Sequence, residues 1–269
     1  MARSIRKSRT PNPVRQGWEG WDQYAPFYDW ENARTLGRRD LPFWRDLAGR
    51  EQKHGPLLEF GCGTGRLLIP IARSGINATG VDLSTPMLGY AIARARTLPR
   101  SRRPRIARAD IRRLPFRTRA FGMVLAPYGM LQSLIADDDL DRALAEAARV
   151  LRRGGLLGID LVPDLATWSE YNREVRLRGT TKRGAAVTLI ESVRQDRKRG
   201  LTIFDEEFTE RRGRATRRAR FSLTFRTRPM AAIIDRLERA GFRVDTILGS
   251  YKGGAWDPRA DVWVILARR

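Results

Sequence analysis

The chain has 269 residues, 42 % of them hydrophobic, so it can bury one large core and is too apolar for a disordered protein. It has one cysteine, Cys62, and one histidine, His54, which excludes an intrachain disulfide and leaves a His-based zinc site or a Ser-His-Asp triad almost nothing to work with. The net charge of +22 is nearly all arginine, and its concentrations at 94–108, 112–119 and 210–220 lack the interleaved aromatics that stack on bases, so a nucleic-acid partner is not favoured over a solvated arginine-rich surface.

Residues 1–16 are basic and lack both acids and an apolar core, which predicts a flexible tail and not a secretory signal. No apolar run reaches the roughly 20 residues that a membrane-spanning helix needs, so no membrane partner is expected, and the lone cysteine suits a reducing cytoplasm. An aromatic-rich segment to Gly49 follows, with helical spacing in its second half. "LLEF" at 57–60 reads as a short buried strand and Leu67–Ala72 as the start of an apolar helix face, with glycines at 61, 63 and 65 between them. A strand at 78–83 leads into a helix capped by Ser84, with Pro86 in its first turn. Strands are expected at 105–110 and 121–129, a helix at 139–152 stopped by Gly154 and Gly155, and a strand at 156–162. This cadence predicts a Rossmann-like, open, mostly parallel sheet with helices on both faces. From about 185 the pattern alternates with a period of two, giving three antiparallel strands before a helix at 229–240 and two closing strands.

The acids make the glycine turn informative. In an open parallel sheet, ligands bind beyond the carboxyl ends of the strands. Asp82 ends the second strand about 17 residues beyond Gly65, near the ~20 at which an acid reaches ribose hydroxyls. Asp110 ends the third strand on the same edge, where it can accept from an adenine amine. A turn, a diol acceptor and an amine acceptor on successive strand ends describe a nucleoside site. The glycine spacing is G-x-G-x-G, not the dinucleotide G-x-G-x-x-G, and no second mononucleotide half follows.

The segments "LLEFGCGTGRLLIPIA", "GVDLSTPML", "ARADIRRLPF", "FGMVLAPYGMLQSL" and "AARVLRRGGLLGIDL" resemble, in order and spacing, the motifs of class I S-adenosylmethionine-dependent methyltransferases. The opening "YAPFYDWENARTLGRRDLPFW" is similar to the N-terminal helix of the small-molecule branch. The resemblance implies one methyltransferase domain over 17–269, with lid helices at 17–50 and the antiparallel insert at about 170–228. It implies that Glu59, Gly61, Gly63 and Gly65 surround the methionine part of S-adenosylmethionine. Asp82 would bind the ribose, Leu83 would lie beside the adenine, Asp110 would take its amine and the Ile111 amide a ring nitrogen. Ala126 would offer a carbonyl near the cofactor's amino group, and Tyr28 would fold over the methionine end. The expected partner is a small-molecule methyl acceptor; no metal is implied.

The loop "APYGMLQS" lacks the "NPPY" or "DPPY" pattern of exocyclic-amine methylation, and no general base is evident. Tyr28, Tyr128 and Gln132 are pocket candidates, and the catalytic residues stay unassigned. Arg38 and Arg39 read as surface arginines within reach of an acidic substrate group. The insert is expected to cover the mouth, with Trp168, Tyr171, Phe204 and Phe208 on a packed face, or to pair two copies of the chain. The alternatives are an RNA or protein methyltransferase using the arginine-rich surface, and a catalytically silent cofactor-binding protein.

Overall fold

The computed structural model describes residues 17–35, 39–163 and 168–269, so the expected tail at 1–16 and Arg38 lie outside the described residues. Strand β1 (Leu57–Phe60) is buried at every position, as is β4 (Phe121–Ala126) beside it. That continuous burial explains why neither shows the apolar–polar alternation of a half-exposed strand, Glu59 being the one charged residue in either. Strands β2 (Ala78–Asp82) and β3 (Arg105–Arg108) extend the sheet on one side of β1, all parallel. On the other side β4 pairs with β5 (Leu151–Leu161). The closing strands are β10 (Arg243–Leu248) and β11 (Trp263–Arg268). The seven strands run in the order β10-β11-β5-β4-β1-β2-β3, and β11 is antiparallel to both of its neighbours. Strand order reverses between β1 and β4, which puts a crevice at their carboxyl ends.

Helices cover both faces. Helices α2 (Leu41–Glu51) and α3 (Leu68–Arg73) pack Trp44, Leu47 and Ile71 against Leu57, Met123 and Leu125. Helices α5 (Asp137–Val150) and α6 (Met230–Arg239) bury Leu140, Leu144, Ile233 and Leu237 over Leu58, Val124 and Ile159 on the other face. In α4 (Thr85–Ala95) the expected cap is present: the Ser84 hydroxyl accepts from the Met87 amide at 3.3 Å.

One boundary differs from the reading of the sequence. Helix α5 starts at Asp137 and stops at Val150, and β5 begins at once with Leu151 paired to Phe121. The chain then shifts register before Leu156 meets Met123, and Gly154, at φ +72°, serves that irregularity and not a helix stop.

The insert has four antiparallel strands where three were expected: β6 (Tyr171–Thr180), β7 (Ala186–Asp196), β8 (Leu201–Arg212) and β9 (Ala215–Arg226). The added strand β6 lies at an edge, is exposed along most of its length and carries two register shifts, so it lacks the apolar alternation that marks the others. Helix α1 (Trp21–Asn32) fills the insert's inner face. Phe27 stacks on Phe208 with ring centres 4.4 Å apart, Tyr24 lies 5.4 Å from Phe221, and the Trp30 indole donates to the Thr180 carbonyl at 3.2 Å. Phe204 shares that packed face, as expected, with the ring of Trp168 against it.

Candidate functional site

A cleft of about 1040 Å³ opens at the carboxyl ends of β1, β2 and β3, between them and helix α1. Gly61 follows β1 at φ +60°, and a Cβ there would sit 2.5 Å from Met130 Cγ, so the turn reaches the cleft only because this residue has no side chain. The Gly63 amide donates to Asp82 Oδ2 at 2.8 Å, and the Ser84 amide donates to Oδ1 at the same distance. Asp82 therefore ends β2 facing the turn with both oxygens held. Burial raises its carboxyl above the usual range, and the two amides pull against that shift. Leu83, Asp110 and Ile111 line the same cleft.

Asp110 is more occupied than its sequence position suggests. Arg112 grips it through Nε at 2.9 Å and Nη2 at 2.6 Å, and extends Nη1 to Asp139 at 3.0 Å. The guanidinium holds the Asp110 carboxyl below the usual carboxylate range. A carboxylate offers about four acceptor directions, so this pairing leaves room for a further donor.

Tyr28 enters the cleft from α1, and burial pushes its hydroxyl up to about 12, with the neighbouring Arg66 opposing. Three of the expected residues stand behind the surface instead of on it. Gly65 faces away, and a Cβ there would lie 2.8 Å from Ile69 Cγ1 and 3.4 Å from Ala91, so it serves the approach of α4 to the turn. Ala126 is wholly buried at the end of β4, and Pro127 and Tyr128 after it form the wall. Glu59 is buried beneath the turn, burial raises its pKa strongly, and its Oε2 has no partner. An orphaned carboxylate oxygen in this place fits a cationic ligand group, whose arrival would relieve its desolvation.

Several participants had no motif to mark them. Arg66, directly after the last glycine of the turn, forms a bidentate pair with the fully buried Asp40 at 2.7 and 2.6 Å. Its guanidinium also lies 5.1 Å from the ring of Tyr128, a non-glycine residue at φ +63°. Asp160 holds the next stretch of that loop, accepting from the Gly129 amide at 2.8 Å and the Tyr251 hydroxyl at 2.7 Å. Gln132, expected in the pocket, instead bonds Val162 through both ends of its amide at 3.0 and 2.8 Å and fastens the loop to the exit of β5. The mouth is formed by Trp18, Glu19, Trp21, Asp22 and Phe225. Only pairing between α1 and the insert assembles that group, so no local pattern marks it. Among the described residues no cluster of three or more His, Cys, Asp or Glu is placed to hold a metal, and no helix is long and apolar enough to cross a membrane.

A glycine turn, a strand-end acid that meets it and a second acid on the next strand line one cleft at the carboxyl edge of an open α/β sheet, the place where such sheets bind ligands. Residues 57–155 match the family model described as a methyltransferase domain. The malonyl-[acyl-carrier protein] O-methyltransferase of Pectobacterium atrosepticum is 31 % identical over 163 residues, 60 % of this chain and 56 % of that protein. The chain spans a third to just over a half of the length of the curated relatives it matches. Among solved structures, the CcbJ methyltransferase from Streptomyces caelestis superposes with a TM-score of 0.76 at 19 % identity, over 94 % of this chain and 98 % of that one. The sugar N-methyltransferase KedS8 from a Streptoalloteichus species gives 0.71 at 18 % identity, over the whole of both chains. At these identities the likeness is one of fold. Residues 57–155 thus carry a methyltransferase domain, and the chain as a whole has the fold of these solved methyltransferases.

Proposed function

We propose that the chain transfers a methyl group from S-adenosylmethionine to a small amine-bearing molecule held at the mouth of the cleft. The observation that carries this reading is the convergence of Gly61, Gly63, Asp82 and Asp110 on one side of a single cleft, with Tyr28 on the other. In this reading Asp82 receives the ribose hydroxyls, Leu83 lies beside the adenine, and Asp110 and the Ile111 amide take its polar edge. Glu59, the glycine turn and the Ala126 carbonyl serve the methionine end, where the orphaned Glu59 oxygen answers a cationic amino group.

Bound there, S-adenosylmethionine supplies a sulfonium-activated methyl, and the protein's part is to align the acceptor with it and exclude water. Such alignment contributes on the order of 7–11 kcal/mol with no covalent group on the protein. Burial raises the hydroxyls of Tyr28 and Tyr128 well above neutrality, so they stay protonated and orient the acceptor by donating. An ammonium must shed a proton before its nitrogen attacks, and that proton goes to water or to a mouth carboxylate.

The amine is argued from the lining. The mouth combines Glu19 and Asp22 with the aromatic Trp18, Trp21 and Phe225, a setting that attracts cations. Of the arginines at the cleft, Arg66 is paired with Asp40, Arg112 with Asp110 and Asp139, and Arg108 donates to the Leu83 carbonyl at the adenine end, away from the mouth acids. The name of the sugar N-methyltransferase KedS8, whose fold matches along its whole length, is consistent with nitrogen as acceptor. The insert's inner face is filled by α1 and its Phe225 reaches the cleft, which favours a covering role over pairing of two copies. The test is a methylation assay with matched panels of small amines, alcohols and carboxylates, and with RNA. Turnover confined to amines is expected; turnover confined to carboxylates, or on RNA alone, overturns the reading.

A further inference from the structure

The glycine turn is bonded in two directions by successive residues. Gly63 points its amide inward to Asp82 at 2.8 Å. Thr64, the next residue, is fully buried yet does not line the cleft; its hydroxyl donates outward to Asp29 Oδ1 of α1 at 2.8 Å. Arg94 of α4 closes the third side. Its Nη1 donates to the Thr64 carbonyl at 3.0 Å, to the Thr64 hydroxyl at 3.1 Å and to Asp29 Oδ1 at 3.2 Å, and its Nη2 pairs with Asp29 Oδ2. On the helix, Asp29 immediately follows Tyr28, so the residue that meets the turn adjoins the one that lines the cleft.

From these contacts we infer that Asp29 is a positioning residue: with Thr64 and Arg94 it clasps helix α1 to the glycine turn, so that cofactor binding and the seating of Tyr28 are coupled. The inference rests on the proposed function. Helix α1 is already joined to the insert by the Phe27–Phe208 stack and the Trp30–Thr180 hydrogen bond. The insert in turn meets the rest of the protein near its chain exit, where Arg226 donates to the Ile135 carbonyl at 2.8 Å and Arg228 to the Leu134 and Ile135 carbonyls at 3.0 Å. The clasp is a separate polar attachment, made directly to the turn that donates to Asp82. A shift of α1 therefore pulls on Thr64 and, one residue away, on the amide that holds the ribose acceptor. The Asp29 and Arg94 side chains are 33 % and 39 % exposed, so the ion pair alone adds little to overall stability. What it controls is the relation of the helix to the turn.

The experiment measures affinity and dissociation rate of S-adenosylmethionine by stopped-flow, with melting temperature alongside, for the full chain and for Asp29→Asn, Thr64→Val and Thr64→Ser. Asp29→Asn and Thr64→Val are expected to weaken binding about tenfold, mostly through faster dissociation, as loss of a hydrogen bond to a charged group allows. Combining them should cost less than the sum of the two, because Asp29→Asn removes the charge that Arg94 pairs with and Thr64→Val the hydroxyl that joins the same cluster. Thr64→Ser keeps the hydroxyl and should bind as the wild type does. Should Asp29→Asn fail to fold, Thr64→Val reads the same contact from the turn. Lower melting temperatures with unchanged affinity and dissociation would overturn the clasp and leave only a structural role. A wild-type chain that does not bind S-adenosylmethionine would instead overturn the proposed function itself.

Discussion

In the seven-stranded sheet β1 and β4 are buried at every position, and the polar chemistry sits at the strand ends, in Asp82, Asp110 and the turn after β1. In the four-stranded sheet β7 buries alternate residues, the inner face is packed against one helix, and the outer face carries paired charges such as Arg194–Asp205 and Arg220–Glu207. The parallel sheet thus builds its site from the ends of successive strands, which its regular pairing brings side by side. The insert acquires its partner from far away: Phe208 stacks on Phe27, and Phe225 reaches the cleft beside Trp21. Strand ends brought together by the parallel sheet make one side of the cleft, and packing of α1 against the insert makes the other.

Glycines in left-handed backbone separate the two regions most sharply. Gly65 and Gly213 have φ of +76° and +58°, so a side chain strains either one. Around Gly213 nothing lies within 4 Å of an added Cβ, whereas at Gly65 that atom would meet Ile69 Cγ1 at 2.8 Å. Gly65→Ala should therefore cost about 2–4 kcal/mol in chemical denaturation, combining conformational strain with overpacking, and Gly213→Ala only about 1 kcal/mol. Equal losses would mean that Ile69 of α3 does not press on the turn as described.

Legibility in the sequence followed the same division. The Ser84 cap is readable because it acts three residues away, and the glycine turn and strand-end acids because they fall at fixed places in the strand–helix cadence. The boundary between α5 and β5 was misplaced because the glycines at 154 and 155 look like a helix stop, while pairing of Leu151 with Phe121 ends the helix earlier. Strand β6 escaped notice because an exposed edge needs no apolar alternation. The fully buried Asp40, the partner of Arg66, gives no periodic signal, and neither does the contact of Asp29 with Thr64, 35 residues apart. Charged residues at the start of a helix or on its side are ordinary in sequence, and only the fold shows what they face.

A smaller effect sharpens the contrast under the cover. Glu31 on α1 accepts from the Tyr24 hydroxyl at 2.8 Å, and burial, with Glu191 nearby, pushes its carboxyl up to about 7. Burial raises Glu206 in the same packed region, and its Oε2 has no partner. A carboxyl whose folded pKa lies above its unfolded value binds more protons in the folded state. The stability linked to Glu31 is therefore fully present at acid pH and falls as pH rises from the ordinary glutamate range to about 7. Glu31→Gln should flatten that part of the pH profile of the melting temperature. An unchanged slope would show that Glu31 ionises freely in the folded protein.

The central claim is that Asp82, held by the Gly63 and Ser84 amides, anchors the adenosyl part of S-adenosylmethionine at the end of β2. Calorimetric titration of the cofactor into the full chain and into Asp82→Ala tests it directly. Saturable one-to-one binding is expected for the wild type, with at least about a hundredfold loss on removal of the carboxylate and the fold retained, the scale expected for an unpaired diol in a built polar site. Equal affinity in the two proteins would contradict it.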